Sequence, residues 1–304
     1  MIEKQKNYVT RFAPSPNGWL HLGHAYSALL AARHANAHDG KFILRIEDID
    51  TGRARPHFVD GIYQDLAWLG LTWPTPVLIQ SARFDVYEAA LRKLRARDLV
   101  YPCWASRRDI ADAIADMPGG VDNWPRDPDG APLYPGIYRD IDDTERQSRM
   151  WRGGGYAWRL RMDKAIAEVE NQNGGPLFFT ELADGQPRKI RVNAACFGDV
   201  VLARKDVPTS YHLSVVVDDA AQGITHITRG QDLRAATHIH RVLQVLLDLP
   251  APQYFHHALI RDPSGRRLSK QAGDPGFRGL RHDGYSREAV IDTLPAPLGT
   301  GALL

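Results

Sequence analysis

The chain has 304 residues, 43% of them hydrophobic and 24% charged, with a formal net charge of +2. This composition excludes wholesale disorder, and the length fits one large domain carrying an insertion, or two domains. No run of ~18 apolar residues could span a membrane, Met1 to Asn7 lack the apolar core of a secretory signal, and only two cysteines occur, Cys103 and Cys196; a cytoplasmic protein with reduced thiols is expected.

Taken in chain order, Tyr8 to Phe12 carry β-formers and read as a strand. A turn-rich stretch, Ala13 to Gly18, precedes an Ala- and Leu-rich helix over Leu22 to Ala37. Lys41 to Ile46 suits a buried strand, and His57 to Leu69 and Ala82 to Arg97 read as amphipathic helices. Strand and helix alternating at this spacing predict a parallel sheet covered by helices. Met117 to Pro135, dense in Pro, Gly and Asp, reads as a long surface loop. Tyr156 to Met162 alternates as a half-exposed strand. The sheet-like pattern resumes at Val200-Val201-Leu202 and again at Leu213 to Val217, and Ala235 to Leu249 is expected to be helical.

The near-neutral charge neither demands nor excludes a nucleic-acid partner, which would have to use a local basic patch. Arg92, Lys93, Arg95 and Arg97 form one candidate, Arg107 and Arg108 a second, and Arg146, Arg149, Arg152, Arg159 and Arg161 a third. Each also reads as an ordinary solvated helix face.

Two constellations carry chemistry. The first is His21-Leu22-Gly23-His24, at a helix start directly after the turn. A helix N-terminus presents unpaired N–H groups and a partial positive charge to phosphate, Gly23 removes a side chain that would block close approach, and two imidazoles can donate to phosphate oxygens. A capping role for the two histidines is the plainer alternative. The second is Arg267-Leu268-Ser269-Lys270, in a loop opened by Asp262-Pro263-Ser264-Gly265. A lysine there could close over a triphosphate and neutralise the leaving pyrophosphate.

The pair resembles the two signature motifs of class I aminoacyl-tRNA synthetases, with Arg267 in place of the usual first lysine of the second. Arg11 to Gly18, Arg45-Ile46-Glu47-Asp48-Ile49-Asp50, Tyr211 to Asp219 and Ile224 to Gly230 look like segments of glutamyl-type synthetases. The resemblance implies an α/β fold: a Rossmann-like parallel sheet over residues 1–100 and 192–260, split by an α+β insertion over 101–191. Residues 261–304 would hold the Lys270 loop and a short helical segment. It also implies a glutamate pocket of Arg11, Phe12, Ala13, Pro14, Ser15, Glu47, Tyr211 and Arg229. ATP would contact His21, Gly23, His24, Arg267, Leu268, Ser269 and Lys270, with His21, His24 and Lys270 catalytic. The residue chemistry agrees: arginines offer forked donors to two carboxylates, Glu47 can take an ammonium, and Tyr211 adds a hydroxyl. Salt bridging to Arg45 is the alternative for Glu47, and a surface position near Asp232 the alternative for Arg229.

With Leu304 following so soon after Lys270, no anticodon-binding domain is expected. That resembles the glutamyl-Q tRNA(Asp) synthetases, a shortened family, and implies two steps. Glutamate is activated by ATP, with Mg²⁺, without tRNA; it is then transferred to the queuosine base of tRNA(Asp), whose loop would be read through splayed bases and a basic groove. A monomer is expected. The family's insertion zinc, held by three cysteines and a tyrosine, is not expected here. Cys103 stands at the first position and Tyr134 at the tyrosine, but Ala105 and Tyr138 replace cysteines. The rival readings are a truncated glutamyl-tRNA synthetase charging an acceptor end, a non-catalytic paralogue binding RNA or ATP, and a small-molecule adenylyltransferase.

Overall fold

The structure is a computed structural model and describes residues 7–183, 185–260 and 277–295. The first half runs β1 (Val9–Phe12), α1 (Leu22–Ala37), β2 (Lys41–Ile46), α2 (Pro56–Trp68), β3 (Leu78–Ile79) and α3 (Phe84–Ala96). β1, β2 and β3 pair in parallel, with Arg11 opposite Ile43 and Arg45 opposite Leu78. Helix α1 is buried nearly all round because Ala25, Ala28, Ala31, Ala32 and Ala35 let it lie close against the sheet. The Thr10 hydroxyl donates to the Ala31 carbonyl at 2.8 Å and fastens helix to strand. Gly40 returns the chain into β2 so tightly that a Cβ there would collide with the Tyr8 carbonyl.

The middle contains β4 (Val100–Cys103), α4 (Arg107–Ala115), a single turn α5 (Gly120–Asn123), α6 (Asp143–Trp151), β5 (Ala157–Leu160) and α7 (Met162–Asn173). A hairpin of β6 (Phe178–Ala183) and β7 (Gln186–Arg191) follows, then β8 (Val201–Ala203). β4, β5 and β8 make a small antiparallel sheet. The chain then forms α8 (Tyr211–Ala221), β9 (His226–Gly230), α9 (Ala236–Leu246) and β10 (Gln253–His257), with α10 (Phe277–His282) and α11 (Arg287–Asp292) at the end.

β10 pairs in parallel with both β9 and β6. Beside β9 lies β1, joined by the Thr225 N–H donating to the Val9 carbonyl at 3.0 Å. Two ladders, β3-β2-β1 and β9-β10-β6-β7, therefore lie side by side with β1 next to β9, and within them all pairs are parallel except β6–β7. The hairpin at 178–191, which sequence places in the insertion, is thus hydrogen-bonded to the main sheet. The largest core is shared between α3, α7, α8, α9 and the small sheet. A second core packs α1 and α2 on β2 and takes in Val290 of α11. Among the described residues no helix is long and apolar enough to cross a membrane.

One element differs from expectation. Leu213 to Val217 are not a strand but the middle of α8. The Ser210 side chain caps the helix, accepting from the Leu213 N–H, and Leu213 through Asp219 are all buried. A helix buried on every side shows no 3.6-residue alternation, so its valines mimic a strand.

Candidate active site

Parallel sheets bind ligands beyond the carboxyl ends of their strands, where the strand order reverses. Here that point lies between β1 and β9, and residues from the ends of β1, β2 and β9 meet there with α8.

Arg45, fully buried on β2, is the hub. Its Nη1 donates to Asp219 Oδ1 at 2.8 Å and to Gln222 Oε1 at 2.9 Å, and its Nη2 donates to Glu47 Oε1 at 2.9 Å. Arg11, from β1, reaches the same Asp219 oxygen at 3.1 Å through Nε. Burial works against the Arg45 charge, but Asp219 and Glu47 outweigh it and hold the guanidinium protonated. Burial also penalises the Asp219 carboxylate, yet Arg11 and Arg45 hold it below the usual carboxylate range. For Glu47 burial prevails and pushes the carboxyl up against the pull of Arg45 and Arg11. An arriving ammonium would favour its ionised form.

Arg229, on β9, has a different environment. Only 5% exposed, it donates to Thr237 Oγ1 at 2.7 Å, the Tyr211 hydroxyl at 3.2 Å, His240 Nδ1 at 3.3 Å and His256 Nε2 at 3.3 Å. A guanidinium only donates, so both imidazoles accept from it and are neutral. Burial and the Arg229 charge agree: His256 is pushed down to about 3 and His240 well below its ordinary range. The outer nitrogens are used as well, His240 Nε2 facing His212 Nδ1 at 3.2 Å and His256 Nδ1 facing Glu181 at 2.7 Å. Glu181 is itself matched by Arg234 at 2.8 Å. Among the described residues no carboxylate lies within ion-pair distance of Arg229. It is a buried cation with neutral partners, an arrangement that an anionic ligand would complete.

His21 caps α1. Its Nδ1 accepts from the Gly23 N–H at 3.1 Å, and the His24 Nδ1 accepts from the His21 N–H at 3.1 Å. The capping reading of these histidines is therefore correct, and it is compatible with the other. With both Nδ1 atoms accepting, the neutral rings carry their protons on Nε2, the atoms suited to donate to a phosphate oxygen. Gly23 suits this cap, because a Cβ there would come within 2.9 Å of the His21 ring and force it to shift.

A cavity of about 220 Å³ is lined by Ser15, Asn17, Glu47, Asp48, Arg204 and Tyr211. Among the expected pocket residues, Ser15, Glu47 and Tyr211 line this cavity. Arg229 and Arg11 do not line it but connect to it through the Tyr211 hydroxyl and through the Asp219–Arg45–Glu47 chain, and Pro14 holds the end of β2 by accepting from the Glu47 N–H at 3.0 Å. Phe12 points elsewhere, into the core under α1, and Ala13 is half-buried beside it. Arg267, Leu268, Ser269 and Lys270 lie outside the described residues. A larger cavity, of about 440 Å³ between α7, β7 and α9, is lined by aliphatic residues such as Ile166, Leu177 and Val242 together with Glu170, Arg191 and Asn193, and lies apart from these groups.

Sequence reasoning missed Asp219, Thr237, His240 and His256. Thr237 and His240 lie three residues apart on α9, so one helix face was the available signal. Nothing in the sequence indicated Asp219 over its neighbour Asp218, which turns instead to Gln80, Arg83 and Tyr87.

The zinc-type positions of the insertion are also visible. Cys103 Sγ lies 3.4 Å from the Tyr134 hydroxyl, which accepts from the Tyr138 N–H. The Arg159 guanidinium covers the Tyr134 ring at 4.0 Å. Among the described residues no group of three or more His, Cys, Asp or Glu side chains is placed to hold a metal ion. One thiol and one phenol do not fit zinc.

The sequence profile described as "tRNA synthetases class I (E and Q), catalytic domain" matches residues 7–297. A glutamyl-Q tRNA(Asp) synthetase of Rhodobacter capsulatus is 48% identical over 91% of this chain and 96% of its own. One of Symbiobacterium thermophilum is 40% identical over 93% of this chain and 84% of its own. Among solved structures, a glutamate tRNA ligase of Elizabethkingia meningosepticum, in complex with its amino acid, superposes with TM-score 0.75 at 27% identity. The match covers 94% of this chain and 59% of that ligase. The glutamate-tRNA synthetase of Elizabethkingia anophelis gives TM-score 0.77 at 26% identity, over 94% of this chain and 61% of that one. The chain belongs to the glutamyl-Q tRNA(Asp) synthetase family, ligases built on the catalytic domain of the class I glutamyl- and glutaminyl-type tRNA synthetases.

Proposed function

We propose that the chain activates L-glutamate with ATP in the absence of tRNA, and then transfers the glutamyl group to the queuosine base of tRNA(Asp). The observation that carries the amino-acid choice is Arg229, a buried cation with neutral partners. The α-carboxylate must face ATP, so Arg229 and Tyr211 take the side-chain carboxylate. Glu47 takes the ammonium, and Arg11 adds positive potential beside the carboxylates.

The α-carboxylate attacks the α-phosphorus of ATP; a carboxylate–phosphorus bond forms as the bond to the bridging oxygen breaks, and pyrophosphate leaves. Mg²⁺ accompanying ATP would offset charge on the phosphates. No base is needed, because the attacking group is already ionised. His21 and His24 donate from Nε2 to phosphate oxygens as charge shifts, and Lys270 neutralises the departing pyrophosphate. The second step takes glutamate from the mixed anhydride to a hydroxyl of the modified base, releasing AMP. Its support is the likeness to relatives bearing that name, which match nearly the whole chain.

Transfer of labelled glutamate separates this reading from acceptor-end charging. The reading expects labelling of tRNA(Asp) that contains queuosine, with or without the terminal adenosine, and none of the unmodified transcript. Labelling that follows the terminal adenosine and ignores queuosine overturns it.

A further inference from the structure

Helix α6 ends in a tryptophan that the fold leaves in solvent: Trp151 is 89% exposed. The helix beneath it is nevertheless fixed. Arg149 lies over the rings of Tyr138 at 5.0 Å and Trp104 at 6.0 Å, and it pairs with Glu145. Trp104 in turn packs against Tyr138 and Tyr156. Trp151 is therefore a large apolar ring, displayed by an anchored helix and serving no core.

The chain leaving α6 leads towards the cavity. After Arg152, Gly153 and Gly154 adopt φ of 75° and 98°, a left-handed path open to glycine. That path brings Gly155 against the β8–α8 loop, where a Cβ would fall within the aliphatic stem of Lys205. Arg204, next to Lys205, lines the cavity together with Glu47 and Tyr211. Among the described residues Arg152, Arg204 and Lys205 have no carboxylate within ion-pair distance. Asp50 feels Arg204 only at longer range and is hydrogen-bonded to Arg53. One surface strip thus links an exposed indole, three unmatched cations and the mouth of the site.

We propose that this strip seats the single-stranded part of the RNA substrate. Trp151 stacks on an unpaired base, Arg152 and Lys205 contact flanking phosphates, and Arg204 guides the reacting nucleotide into the cavity. An aromatic face beside unmatched cations is the chemistry that single-stranded RNA selects, since stacking accepts any base and the cations meet phosphates. The proposal rests on an RNA acceptor for the second step, and it does not depend on which base receives glutamate.

The test is equilibrium binding of tRNA(Asp) with queuosine and of the unmodified transcript, alongside pyrophosphate exchange without tRNA. Trp151→Ala should raise the tRNA Kd about tenfold, and Trp151→Phe, which keeps a π face, should stay near wild type. Arg152→Glu with Lys205→Glu should raise Kd at least about tenfold and flatten its salt dependence. Exchange should remain within about twofold of wild type in all three variants. Wild-type affinity in W151A and in the double variant would overturn the strip. So would an equal loss of exchange and binding across the variants, or a dimer dispersed by W151A at unchanged RNA affinity. Binding to the transcript reads the strip even if queuosine is not the acceptor, and transfer to queuosine with unaltered Kd would refute the strip alone.

Discussion

Arg229 donates to the Tyr211 hydroxyl at 3.2 Å, across the gap between β9 and the first turn of α8. Two groups from different elements are held together, and Tyr211 lines the cavity beside Glu47. Among the described residues the guanidinium gains no carboxylate, so its burial is a cost to the fold that ligand binding would offset.

Replacing Arg229 by Met should therefore separate function from stability. Glutamate-dependent exchange should fall at least about 100-fold, because a buried charge-assisted pair to the substrate is lost. Denaturant unfolding should show stability unchanged or raised by about 1 kcal/mol. A loss of several kcal/mol would mean that the arginine serves the fold.

His21→Asn tests the double use of the first histidine. Asparagine is a good N-cap, so stability should change by only a few tenths of a kcal/mol. The Nε2 donor disappears, and kcat for exchange should drop about 100-fold with little change in the KM for glutamate. A wild-type kcat would confine His21 to capping.

Much of the fold was legible because it follows from periodicity and punctuation. Helix α1 and strands β1 and β2 lie within a residue or so of their expected bounds. The hairpin of β6 and β7 was not legible, because its second strand, Gln-Pro-Arg-Lys-Ile-Arg, is largely exposed and polar. Strands β9 and β10 were hidden for a related reason: they carry His226, Arg229, His256 and His257, residues that look like loop chemistry until their partners are known. For the site, motif residues were readable because their types are dictated by glutamate and phosphate. The residues that hold them depend on contacts between distant segments: Asp219 leaves no local trace, and Thr237 and His240 leave only their shared face of α9.

The buried histidines make stability pH-dependent. His34, His212 and His226 are pushed down to about 4 and His256 to about 3, in each case first by burial. In the unfolded chain they protonate near 6.5. Between roughly pH 6.5 and 4 the unfolded state binds more protons, so stability should fall as pH falls through that window and stay flat from pH 7 to 8. Asp65, raised by burial to about 6, and Glu47, also raised by burial, oppose this, but the lowered histidines, which include His238, His240 and His257, outnumber them. Urea unfolding at pH 7.5, 6 and 5 checks the slope; equal stability at all three contradicts it.

The Cys103–Tyr134 contact predicts an insertion that needs no metal. Elemental analysis of the purified chain should find zinc far below stoichiometric, and prolonged chelation should leave the unfolding midpoint in place. About one zinc per chain, or unfolding on chelation, would contradict this.

The central claim is that the Arg229, Tyr211 and Glu47 pocket presents glutamate to ATP with no help from RNA. Pyrophosphate exchange without tRNA, run in parallel with glutamate, glutamine and aspartate, tests it most directly. The account predicts exchange with glutamate and at least about 100-fold less with the other two, since glutamine leaves the Arg229 charge unmatched and aspartate falls short of it. Exchange that requires tRNA, or that proceeds equally well with glutamine, would contradict it.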